Sequence, residues 1–153
     1  MPLTITSPAF PEGGSIPPLY TCDGRDVSPP LSWEGVPAGA RSLALVCDDP
    51  DAPRGVWVHW VIFNLPPSAA GLPEGVPPRK EVDGGGLQGS NDFRRIGYGG
   101  PCPPSGTHRY VFRLYALDAE VPLAAGATKS ELVAAMKGHV RSEAALTGKY
   151  SRR

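Results

Sequence analysis

Two histidines lie in strongly apolar surroundings and keep polar company. His59 sits in Trp57-Val58-His59-Trp60, soon after the carboxylates Asp48, Asp49 and Asp51, and His108 stands two residues before Tyr110. A lone histidine on a core strand is more often a packing residue than a functional one. Two of them, with a tyrosine and a carboxylate cluster, suggest one polar pocket at the edge of a sheet. Three chemistries could use it. Zinc would want two or three imidazoles and a carboxylate, and His59, His108 and Asp49 suffice by type, although no spacing such as His-Glu-x-x-His accompanies them. A hydrolase would need a nucleophile, yet there is no Gly-x-Ser-x-Gly, and neither Ser105 nor Cys102 has an activating context. The remaining option is an anion pocket, in which imidazole N–H, tyrosine O–H and glycine-loop N–H groups converge on phosphate oxygens. His139, the third histidine, is assigned no role.

These residues must be positioned by strands. Arg41 to Asp48 alternates Leu43, Leu45 and Cys47 against Ala44 and Val46, and it delivers Asp48 and Asp49 at its end. Asp49-Pro50-Asp51-Ala52-Pro53 then fixes two φ angles and makes a rigid turn. In the next strand, period two puts Trp57, His59, Val61 and Phe63 on one face and Val58, Trp60 and Ile62 on the other. Both faces are apolar, so burial on both sides is expected. His108 to Leu117 alternates in the same way and places His108 and Tyr110 on one face.

Elsewhere, Leu3-Thr4-Ile5 and Leu31 to Trp33 are short strand candidates, the second placed at a sheet edge by the prolines before it. Residues 66–106 read as loop; there the glycines let backbone approach a ligand, and Asn91, Asp92 and Tyr98 could supply side-chain contacts. Thr128-Lys-Ser-Glu131 is a capping box, and Leu132, Met136 and Val140 recur at helical spacing, which predicts a helix running on toward Gly148 and Tyr150.

The 153 residues suit a single domain. Nineteen glycines and nineteen prolines approach the level of low-complexity chains, but 41% of residues are hydrophobic, so a folded, loop-rich β protein is expected. Fifteen basic and fifteen acidic side chains cancel, leaving no net field for nucleic acid or an anionic membrane. No apolar run approaches a membrane span, and the N-terminus lacks the pattern of a secretory leader. Cys22, Cys47 and Cys102 are odd in number and without C-x-x-C spacing, so free thiols and a cytoplasmic location are expected.

Several motifs together resemble the phosphatidylethanolamine-binding proteins, in the bacterial branch often called Raf kinase inhibitor-like proteins. They are Cys22-Asp-Gly, Ser28-Pro-Pro-Leu-Ser-Trp33, Asp49-Pro-Asp-Ala-Pro53, Trp57-Val-His-Trp60 continuing to Asn64, Gly97-Tyr-Gly-Gly-Pro-Cys-Pro-Pro104, and Gly106-Thr-His-Arg-Tyr110. Arg94 stands where the bacterial pattern usually has glycine. The resemblance implies a mainly β fold, with a large antiparallel sheet, a second smaller sheet and peripheral helices. It implies a pocket for phosphate-like anions at Asp49, Asp51, His59, Gly100, Pro101, His108 and Tyr110, a cis peptide before Pro53, and neither metal nor other cofactor. As partners it implies a phosphate-bearing small molecule or head group, a protein partner such as a kinase, and a second copy of the chain. The segment that borders the pocket in the animal members is expected to be missing after Tyr150.

Overall fold

The computed structural model describes residues 2–152. Strands β1 (Thr4–Thr6), β2 (Leu31–Glu34), β3 (Ser42–Asp49), β4 (Trp57–Leu65), β5 (Gly71–Leu72), β6 (Leu87–Gln88), β7 (Thr107–Leu117) and β8 (Val140–Ser151) are joined by one α-helix, α1 (Lys129–Met136), and a 3-10 turn at Pro18–Tyr20. They form two antiparallel sheets, a small one in the order β1-β2-β5 and a large one in the order β6-β4-β3-β7-β8. β2 is therefore the central strand of its sheet rather than an edge. Pro29 and Pro30 precede Leu31 and stay outside the ladder, so they remove no hydrogen bond from it.

The long strands form because their apolar residues alternate, and the large sheet is buried on both faces. One face packs Leu45, Cys47, Trp60, Ile62, Phe112 and Leu114 against Ile5, Leu31 and Trp33 of the small sheet. The other packs Ala44, Val46, Val61 and Phe63 against Leu132 and Met136 of α1. Asp48 reaches this second face, where the Lys129 ammonium meets its carboxylate at 2.6 Å and ties the helix to β3.

β4 does not keep the strict alternation expected of it. Cys47 pairs with Trp60 but Asp48 pairs with Val58, so His59 is a surplus residue in a β-bulge. Beyond the bulge the faces exchange. Trp60 and Ile62 join the core under the small sheet, whereas Val61 and Phe63 join Val58 under the helix.

The C-terminal quarter also departs from expectation. The capping box is present, with the Glu131 amide donating to Thr128 Oγ1 and the Thr128 amide donating to Glu131 Oε1. The helix nevertheless ends at Met136, and Gly138, at φ 84°, turns the chain into β8. Val140 and Gly148 belong to that strand, whose partner β7 supplies hydrogen bonds from Thr107 to Leu117 that a helix continuing toward Tyr150 would forgo.

The expectation of free thiols holds only for Cys47, which is buried. Cys22 and Cys102 are joined in a disulfide across 80 residues of sequence. Closing so long a loop restricts the unfolded chain by about 4–5 kcal/mol in the chain-entropy account. Among the described residues, no helix is long and apolar enough to cross a membrane.

Candidate functional site

The bulge in β4, the end of β3 and the start of β7 converge on a cavity of about 230 Å³. Asp49, His59, His108 and Tyr110 all line it, together with Trp57, Phe93 and the segment Cys102–Pro104. His59 is 3% exposed and Tyr110 1%. Their rings meet edge to face at 5.1 Å, and Phe93 stands edge-on to both His59 and Trp57. The walls are thus mainly aromatic, with few polar groups, as in most small-ligand sites.

Each imidazole is oriented through Nδ1. In His59 this nitrogen is 2.6 Å from the carbonyl of Gly99; a carbonyl can only accept, so Nδ1 carries the proton and Nε2 is left for other partners. In His108, Nδ1 donates to Asp49 Oδ2 at 2.6 Å, which leaves Nε2 in the same position. The other oxygen of Asp49 accepts the Asp51 amide at 2.7 Å. Asp49 therefore acts on His108, with a protein donor already at each of its oxygens.

Asp51 stands behind this pair. The Arg109 guanidinium grips its carboxylate through two hydrogen bonds of 2.8 and 2.9 Å, the Arg109 amide adds a third, and together they hold the Asp51 carboxyl down at about 2. Burial pushes the His59 imidazole below its ordinary value, and the Gly99 carbonyl and nearby carboxylates offset this only in part. The Tyr110 phenol is pushed far up by burial, followed by the charge of Asp49, so it stays an O–H donor. That hydroxyl is buried and has no hydrogen-bond partner among the described residues.

The comparisons with known proteins agree with the fold. A family model described as phosphatidylethanolamine-binding protein matches residues 6–151. The chain belongs to the phosphatidylethanolamine-binding protein family. A relative from Methanothermobacter thermautotrophicus, described only as a UPF0098 protein, is 57% identical over 98% of this chain and 99% of its own. The crystal structure of a putative phosphatidylethanolamine-binding protein homolog from Chlamydia trachomatis superposes with a TM-score of 0.92, at 41% identity and 99% coverage of each chain. Escherichia coli YbcL, described as a new member of the mammalian family, gives 0.90 at 31% identity over the whole of both chains.

Other features expected from the family resemblance or from the loop glycines lie elsewhere. The Gly100 amide donates to Asp26 Oδ1 and the Gly99 amide to the His59 carbonyl, so neither N–H is free for a ligand. Gly100 is glycine because a Cβ there would come within 2.4 Å of both Asp26 and the Tyr20 carbonyl, a packing reason. The Pro101 carbonyl accepts from the Cys22 amide, and neither Gly100 nor Pro101 lines the cavity. Asn91, Asp92 and Tyr98 also serve the scaffold. Asn91 holds its own loop through Gly97, Phe93 and Arg95, Asp92 accepts the Val58 amide, and the Tyr98 hydroxyl donates to the Tyr20 carbonyl. The Ala52–Pro53 peptide is trans. The Asp49 side chain capping the Asp51 amide, and Gly55 at φ 108°, make the reversal instead.

Phe93 is the lining residue that the sequence reading did not single out. Its signal is local: Asn91 followed by Asp92 is the composition of a side-chain-capped turn, which presents the next residue outward in a fixed direction.

Proposed function

We propose that this family member binds a phosphate-like anion in the cavity, as the head of a small molecule or as a phosphorylated side chain, and holds it without turnover. One observation carries the reading. The Tyr110 hydroxyl is a buried donor with no partner among the described residues, beside two imidazoles whose Nδ1 atoms are fixed and whose Nε2 atoms are left for other partners. A buried unmade hydrogen bond is costly, and an anion oxygen would accept it. The chemistry of the imidazoles sets a condition. With Nδ1 protonated, a neutral ring offers Nε2 only as an acceptor, so it becomes a donor to an anion by taking up a second proton. An anion that carries its own proton, such as hydrogen phosphate, satisfies the neutral ring instead.

Calorimetric titration with inorganic phosphate tests this. His59→Ala and His108→Ala should each weaken binding by roughly 1.5–3 kcal/mol, the range for hydrogen bonds to charged groups. Unchanged affinity in both variants would remove the cavity from the account. A regulatory role toward a kinase or other partner would act through a phosphorylated side chain in the same cavity, and pull-down with and without excess phosphate measures it.

A second reading is favoured by one contact. The His108–Asp49 pair has the arrangement of a general base and the carboxylate that orients it. Release of product from a panel of phosphoesters and carboxylesters, abolished by His108→Ala, would establish a hydrolase in place of a binding protein.

A further inference from the structure

One wall of the cavity is fastened by a bond that can be reduced. Cys102, Pro103 and Pro104 line the cavity together with the sheet residues. Up to Pro101 the segment is well secured, by the Tyr98 hydroxyl on Tyr20, the Gly100 amide on Asp26 and the Cys22 amide on the Pro101 carbonyl. Beyond it, among the described residues, no backbone hydrogen bond reaches Cys102 to Gly106 before β7 begins at Thr107. Two of those five residues are prolines and have no N–H to give. The Cys22–Cys102 disulfide is the cross-link that holds this stretch against the rest of the fold.

The two ends of that disulfide are unequal. Cys22 lies in a loop braced from several sides: Thr21 accepts the Asp23 and Gly24 amides, the Asp26 amide bonds Leu19, and the Tyr150 hydroxyl donates to Asp23. Breaking the bond would leave this loop in place and release the Cys102 side. Cys22 is also exposed whereas Cys102 is half-buried, so an external thiolate meets the bond at Cys22.

We infer that the Cys22–Cys102 disulfide is a redox control on the cavity, which binds its anion tightly when oxidised and weakly after reduction by a dithiol. The inference rests on the anion-binding reading above. In the reaction a thiolate attacks the Cys22 sulfur and forms a mixed disulfide, and Cys102 departs as a thiolate and takes a proton. The second thiol of the reductant then displaces Cys22 as a thiolate, which is protonated in turn. Two electrons pass to the protein, and the dithiol leaves as its own disulfide. The freed wall must be re-ordered whenever a ligand binds. Fixing even one residue of it corresponds to about tenfold in affinity.

The test is phosphate titration of the native protein before and after dithiothreitol, which is uncharged and does not compete for an anion site, and again after reoxidation with diamide. The double variant Cys22→Ser, Cys102→Ser is titrated alongside. The expected result is at least about tenfold weaker binding after reduction, recovery on reoxidation, and a double variant that matches the reduced protein and ignores dithiothreitol. Should the double variant fail to fold, the reversible change in the native chain decides alone. Equal affinity in the oxidised and reduced states would overturn the redox control and leave the anion site standing. Absence of phosphate binding in both states would overturn the anion site, and the redox control of it as well.

Discussion

Replacing Tyr110 by phenylalanine should move stability and affinity in opposite directions. The ring is buried against His59 and in the core beneath the small sheet, and phenylalanine keeps all of that packing. The change removes one hydroxyl that is shut away from solvent and bonds to nothing among the described residues. An unsatisfied buried polar group costs about 1–3 kcal/mol, so the ligand-free variant should gain up to that amount. For a chain of this length each kcal/mol raises Tm by roughly 2–4 °C. In the bound state the same hydroxyl would donate to an anion, a hydrogen bond of about 1.5–3 kcal/mol, or roughly ten- to more than a hundredfold in Kd. Urea denaturation in chloride buffer measures the first effect, and phosphate titration of the same preparations measures the second. Loss of stability in Tyr110→Phe would show that the hydroxyl is satisfied in the free protein. Unchanged phosphate affinity would show that it is no donor to the ligand. Either result breaks the argument that its orphaned state marks the site.

Four further expectations concern other features. Because burial depresses the His59 pKa, the unfolded chain takes up a proton near pH 6.5 that the folded chain resists, so ligand-free stability should fall as pH drops below that value and be flat in this respect above it; denaturation at stepped pH, with His59→Gln flattening the slope, checks the sign. Sulfate, which brings no proton, should bind more tightly from pH 8 toward pH 5.5 by up to about tenfold per pH unit for each imidazole charged, while phosphate should lose less at the alkaline end, and parallel pH profiles for the two anions would refute the tautomer assignment. Arg94 adopts φ 63°, a left-handed conformation that suits the glycine of the bacterial pattern, so Arg94→Gly should stabilise the fold by up to about 1 kcal/mol in denaturant titration. Light scattering of the purified chain should return the mass of a homodimer, and a monomer mass would remove pairing while leaving the cavity as described.

The sequence made the centre of the fold legible and its periphery less so. β3 and β7 read correctly because uninterrupted two-residue alternation is unambiguous when both faces are buried. β4 read correctly only up to its bulge, since no composition rule marks where a ladder gains a residue. β8 was hidden by its own residues: Ser142-Glu-Ala-Ala-Leu146 is rich in helix formers, and the strand exists because β7 offers it a complete row of partners. The disulfide joins cysteines 80 residues apart, a separation that pattern alone cannot bridge. In the site, the imidazoles and Tyr110 were visible as polar groups on core strands. The glycine amides were expected to face a ligand, and they prove to be occupied by contacts with Asp26 and His59 that only the tertiary arrangement creates.

The surplus position in β4 has a genetic consequence. Removal of His59 alone would bring Trp60 next to Val58, and the register between Asp49–Trp57 and Leu45–Ile62 would close into a regular ladder with no β3 partner lost, while Gly99 would lose its two hydrogen bonds to His59. A single in-frame codon deletion could thus erase the imidazole and leave the sheet whole. Gain by insertion is the same step reversed, so a lineage could acquire or discard this cavity-lining group without passing through an unfolded ancestor.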